Sequence, residues 1–200
     1  GRSRAFTGWL FQRMQGSFEA AGLGDADAFH ATVNRVQPGY IRTESDEVHY
    51  NLHVMLRFEL EKKLLSGELA VRNLADAWNA AMEQRLGVRP ANDVEGVLQD
   101  IHWALGSFAY FPSYAVGAAI AAQLMEGMRQ DVSDLDEQVA RGDFSGLFGW
   151  LRQNVHGYGA KLTSQDLIKQ ATGRPIAAQS ALRYLEAKYL VDAPASSAAA

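Results

Sequence analysis

Apolar residues recur at steps of three and four along nearly the whole chain, the period of a helix face and not of a half-buried strand. Phe6, Leu10, Met14 and Phe18 step by four and predict a helix over 2–21, with a shorter one over 25–36 after the break Gly22-Leu23-Gly24-Asp25. The loop Gln37-Pro38-Gly39-Tyr40 follows. The longest predicted helix covers 43–66: Thr43 stands three residues before Asp46 as in a capping box, Gly67 supplies the stop, and Val48, Leu52, Met55, Leu56, Leu60 and Leu64 form its stripe. Helices are then predicted over 73–86, 94–106 and 113–130, the last two divided by an aromatic stretch that Pro112 interrupts. Further helices are expected over 135–140, 144–155, 164–171 and 177–190, punctuated by glycines and Pro175. No alternating β-branched run and no internal repeat occurs. The pattern describes an all-α, multi-helix domain over 1–190 and a low-complexity tail over 191–200.

Composition narrows the chemistry. With 48% apolar residues, 21% charged residues and a net charge of −4 of mixed sign, there is no basic field to draw nucleic acid. The chain has no cysteine, so disulfides, thiolate metal sites and cysteine nucleophiles are excluded, which fits a reducing cytoplasm. The most apolar run, Ala-Val-Gly-Ala-Ala-Ile-Ala-Ala-Gln-Leu-Met over 115–125, is too short to span a bilayer and carries Gln123. No signal peptide is visible. The chain opens on Gly1 without a methionine and closes on a run of small residues, and both ends read as cut or engineered.

Three groups of residues carry candidate chemistry. His49 and His53 share a helix face one turn apart, as in zinc peptidases, but Tyr50 stands where those enzymes need a glutamate to act as base, and no third ligand follows. Arg42 and Asp46 bracket the start of the long helix; a guanidinium there could clamp a carboxylate in two places or simply pair with a neighbouring acid. Gln99, Asp100, His102 and Trp103 lie together on an otherwise apolar segment, with Tyr110 and Tyr114 beyond; this group reads equally as a structural polar network or as a site in which a tyrosine donates to a developing oxyanion. His30 reads as an exposed residue.

Two longer stretches extend these readings. Ile41-Arg42-Thr43-Glu44-Ser45-Asp46 resembles the I-R-x-x-A-D signature of the carboxypeptidase Taq family of metallocarboxypeptidases, with Ser45 adding a hydroxyl that the family usually lacks. The segment from Gly96 to Trp103 is similar to its G-x-x-Q-D-x-H-W signature, intact. The resemblance runs from Gly1 to about Tyr189 and implies the carboxy-terminal part of a deep-grooved, all-helical enzyme that removes C-terminal residues from peptides. It implies a divalent metal, zinc or in some members cobalt, held by an H-E-x-x-H motif that this chain lacks, so no metal ligand is assigned here. By the same resemblance Arg42 would recognise the substrate's terminal carboxylate, and His102 and Tyr114 would line the groove, Tyr114 stabilising the tetrahedral intermediate. Gln99, Asp100 and Trp103 would support that wall, and Asp46 would hold Arg42 or cap the helix. The expected partners are a peptide with a free C-terminus, the missing amino-terminal half and a second copy in a homodimer, with no nucleic acid and no membrane. The alternative is a non-catalytic relative that binds peptides or partners through the same groove. A chain cut from a larger fold is expected to expose apolar surface.

Overall fold

The structure, a computed structural model, describes residues 1–15 and 24–190. Among them it is all helical: α1 (Arg4–Met14), α2 (Ala26–Val33), α3 (His49–Leu65), α4 (Leu74–Leu86), α5 (Pro112–Asp131), α6 (Leu135–Ala140), α7 (Ser145–Asn154), α8 (Ser164–Thr172) and α9 (Gln179–Tyr189), with short 3-10 turns at Arg42–Glu44, Val71–Asn73 and His156–Tyr158. The far end of the predicted first helix, with Phe18, lies outside the described residues. No described helix is long and apolar enough to cross a membrane.

The chain divides into two compact units, Val36–Gly117 and Gly1–Arg35 with Ala118–Ala200. In the first, α3 packs on α4 around Leu56, Leu60, Trp78, Met82 and Leu86, all nearly inaccessible to solvent. Burying each such side chain contributes roughly 1.5–3 kcal/mol. Gly87 ends α4 in the left-handed region at φ 67°, where its N–H caps the carbonyl of Glu83, a conformation costly for a residue with a Cβ. In the second unit α1 packs on α2 and α6, and a separate core gathers Met128, Leu135 and Trp150. Gly142, at φ 76°, leaves room for the Trp9 indole, which any Cβ there would strike. The buried Gln123 amide holds the turn after α8 by donating to Thr172 Oγ1 (2.8 Å) and to the carbonyls of Arg174 and Pro175 (both 3.1 Å). His30, expected to be exposed, is half-buried and bonded to Thr7 Oγ1 at 2.7 Å.

Two expectations fail within Val36–Gly117. The long helix does not start at Thr43. Residues 42–44 form a 3-10 turn, and α3 starts at His49, with Asp46 just ahead of it: the Asp46 Oδ1 accepts from the N–H groups of Val48 and His49 (both 2.9 Å) and its carbonyl from Tyr50 (3.0 Å). One carboxylate so satisfies donors that a helix start leaves orphaned.

Residues 94–106 form successive turns and no helix. The Gln99 amide donates to the carbonyls of Glu95 (2.9 Å) and Gly96 (3.1 Å), acceptors that a helix ladder would need, and to that of Tyr40 (3.0 Å) beyond the segment. The backbone closes with irregular steps instead, such as Leu98 N–H to Asp93 O and Ser107 N–H to His102 O, both 2.8 Å. The apolar period that suggested a core-facing helix points to solvent: Val94, Leu98, Ile101 and Leu105 are 73, 67, 68 and 70% exposed.

Candidate functional site

The polar residues of the 94–106 segment turn inward, against α3. That helix buries a mixed face: Val54, Leu56 and Leu60 lie beside His53, Arg57 and Glu61. Met55, expected in the stripe, is half-exposed. Every buried charge on this face has a partner, as burial demands. Glu61 accepts from Trp103 Nε1 at 2.7 Å and from the backbone N–H of Ala109, which sits at φ 59°. Arg57 donates from Nε to Asp100 Oδ2 (2.6 Å), from Nη2 to Gln99 Oε1 (2.8 Å) and from Nη1 to the His53 carbonyl (2.8 Å).

Arg42 meets the same two acceptors from the opposite side. Its Nε and Nη2 donate to Asp100 Oδ1 at 3.2 and 2.8 Å, and its backbone N–H to Gln99 Oε1 at 2.9 Å. Nη1 donates to Tyr50 Oη at 2.9 Å. Of the five N–H donors of a guanidinium, two of Arg42's have no partner among the described residues. The guanidinium also lies over the Tyr114 ring at 4.9 Å, with Tyr50 at 5.7 Å and Phe111 at 5.8 Å. Such contacts favour the cation.

Two guanidiniums therefore share one carboxylate. Burial works against the charge on Asp100, but the hydrogen bond from Arg42 and the charge of Arg57 hold it below the usual carboxylate range. Burial lowers Arg57 to about 10, against the pull of Asp100 and with the push of Arg42; Arg42 itself is raised, its burial outweighed by the Asp100 hydrogen bond and charge. His53 is pulled down to about 4, first by burial and then by Arg57, so it is neutral near pH 7. Asp46 is kept low despite burial by hydrogen bonds from His49 and Gln37, and it makes no bond to Arg42.

A second pair borders Arg42. His102 Nε2 and Tyr114 Oη are 3.0 Å apart, and His102 Nδ1 lies 3.8 Å from Asp100 Oδ1. The His102 ring packs at a tilt on Phe111, with centroids 4.4 Å apart. Asp100, His102 and Tyr114 thus form a line from the arginine pair to a phenol, and that phenol could donate a proton to a nearby oxygen bearing developing charge.

The model of the carboxypeptidase Taq (M32) metallopeptidase family matches residues 1–189. The chain belongs to that family. The thermostable carboxypeptidase 1 of Pyrococcus furiosus is 37% identical over 190 residues, which are 95% of this chain and 38% of that protein. Carboxypeptidase 1 of Bacillus subtilis is 42% identical over 163 residues, covering 82% of this chain and 32% of the relative. The crystal structure of an M32 carboxypeptidase from Deinococcus radiodurans superposes with a TM-score of 0.89 at 44% identity, over 94% of this chain and 38% of that one. The chain spans between about a third and two fifths of the length of these family members.

Membership in a metallopeptidase family implies a divalent metal in the complete enzyme. The residues present here do not fit one: among the described residues no three histidine, aspartate or glutamate side chains converge. The His49 and His53 pair does not supply such a group. His49 Nδ1 is 2.7 Å from Asp46 Oδ2, and His53 sits fully buried beside the Arg57 cation.

The structure brings together Arg42, Gln99, Asp100, His102 and Tyr114, places Trp103 behind them on Glu61, and sets Asp46 apart as the cap of α3. Sequence reasoning missed Arg57, Glu61, Tyr50 and Phe111. A signal existed for two of them: His49, His53, Arg57 and Glu61 repeat every four residues, a polar row running down a helix that also had to be buried.

Proposed function

We propose that this chain forms the substrate-binding part of a metal-dependent carboxypeptidase, in which Arg42 takes the free terminal carboxylate of a peptide. The observation that carries this is the pair of unused donors on Arg42: its side chain spends three of its five N–H groups on Asp100 and Tyr50 and has two left without a partner among the described residues. The two unpartnered Arg42 donors suit a carboxylate, and the surrounding rings of Tyr50, Phe111 and Tyr114 keep that contact partly shielded from water.

Tyr114, tied to His102, is the group assigned to donate to the oxygen of the scissile carbonyl as charge develops there. Asp100 and Gln99 hold Arg42 in place. In the complete enzyme a zinc or cobalt ion would supply an activated water, and since the residues described here do not fit a metal, the role assigned to this chain is to bind the peptide. The exposed row Val94, Leu98, Ile101 and Leu105 supports a face that the remaining polypeptide of such an enzyme covers.

The test is a calorimetric comparison of acetyl-Ala-Ala-Phe with its C-terminal amide, using the chain and its Arg42→Ala variant. The free acid is expected to bind at least about tenfold more tightly, a difference of about 1.4 kcal/mol, and the variant to lose that preference. Equal affinity for acid and amide in the unmodified chain would refute carboxylate recognition.

A further inference from the structure

We infer that Arg57 is a positioning residue, the strut that aims Arg42 at the substrate carboxylate. This rests on the carboxylate-binding reading above and adds the part that makes it work. Arg42 stands on a 3-10 turn, and its two partners Gln99 and Asp100 stand in a segment with no helix ladder. Neither element fixes a side chain as a regular helix does. Arg57 is in the middle of the seventeen-residue α3, wholly inaccessible to solvent, with its guanidinium over the Trp78 ring at 4.6 Å and the Phe111 ring at 5.5 Å.

From that fixed point it reaches both partners. Nε holds Asp100 Oδ2 at 2.6 Å and leaves Oδ1 to the Arg42 side chain; Nη2 holds Gln99 Oε1 at 2.8 Å, the oxygen that also accepts the Arg42 backbone N–H. The two arginines make no direct bond. They are coupled through two shared acceptors, one controlling the backbone of Arg42 and one its side chain. A third donor, Nη1, anchors the fork to the His53 carbonyl one turn earlier in the helix. Only a planar guanidinium supplies three donors in this fixed arrangement; a lysine keeps the charge but not the fork.

A buried arginine whose role is only to stabilise the core would leave Arg42 undisturbed by a charge-conserving replacement. The experiment therefore uses Arg57→Lys in the full chain, with two readouts. The first is the NMR signal of the Arg42 Nε–H, assigned with Arg42→Lys, which reports hindered rotation and slow exchange without any ligand. The second is the affinity ratio of acetyl-Ala-Ala-Phe to its amide. Arg57→Lys is expected to keep the helical circular dichroism, to broaden or lose the Arg42 Nε–H signal, and to reduce the acid-to-amide ratio at least fivefold.

Gln99→Met cuts one of the two shared acceptors without touching charge and serves where the lysine variant fails to fold; a partial loss of both readouts is expected. An unchanged Arg42 signal and an unchanged ratio in the folded variants would overturn the assignment. An altered Arg42 signal in a chain that never distinguished acid from amide would uphold the strut and refute the carboxylate reading.

Discussion

His53 is a buried base that its surroundings keep neutral, and the pH dependence of stability should report it. It is 0% exposed, and burial together with the neighbouring Arg57 cation brings it from 6.5 to about 4. The unfolded chain takes up a proton on this residue as pH falls below 6.5; the folded chain does not until about 4. The group's contribution is therefore fully present above pH 6.5 and is lost progressively as pH falls through that window. At pH 7 both forms are largely neutral, whereas at pH 5 the unfolded form is almost fully protonated. The difference costs the folded state about 2 kcal/mol between pH 7 and pH 5, of about 3 kcal/mol available over the whole window. Urea denaturation at the two pH values, for the chain and for His53→Gln, isolates the effect. The variant is expected to lose about 2 kcal/mol less stability on acidification, whatever its stability at pH 7. Asp46 and Asp100 are held low by their partners and stay ionised throughout this range, so they do not mask it. Identical acid sensitivity in the two proteins would refute the neutral, desolvated histidine.

Two further perturbations probe the same unit. Asp100→Asn removes the one carboxylate between two buried guanidiniums and is expected to cost about 3–5 kcal/mol in urea denaturation; a loss under about 1 kcal/mol would mean that the arginines find other partners. Ala109→Gly relieves a residue held at φ 59° and is expected to raise stability by up to about 1 kcal/mol in thermal or urea unfolding, with destabilisation counting against strain at that position.

Much of the helical frame could be read from local signals. Helix α6 falls where the pattern put it, and α4, α7, α8 and α9 lie within two residues of their predicted ends, because glycines, Pro175 and capping side chains punctuate them. The two errors in helix placement within Val36–Gly117 share one cause. Side chains of Asp46 and Gln99 took over backbone donors and acceptors, moving the start of α3 and dissolving the helix expected over 94–106, and such competition is invisible to an apolar period. The composition of the site was partly visible, since Gln99 and Asp100 do meet in one polar network with Arg42 and Arg57, while His102 bonds to Tyr114 and Trp103 to Glu61. Its centre was not. Arg42 finds its carboxylate 58 residues away and not in Asp46, and a charged residue within a helix, such as Arg57, reads as solvent-facing until the packing surface is known.

The most direct test of the central claim is a crystal structure of the chain with acetyl-Ala-Ala-Phe bound. The terminal carboxylate is expected within about 2.7–2.9 Å of the free Nη donors of Arg42, with the bonds from Arg42 to Asp100 and Tyr50 retained. A carboxylate lying away from Arg42, or one that displaces Asp100 from it, would refute carboxylate recognition by Arg42.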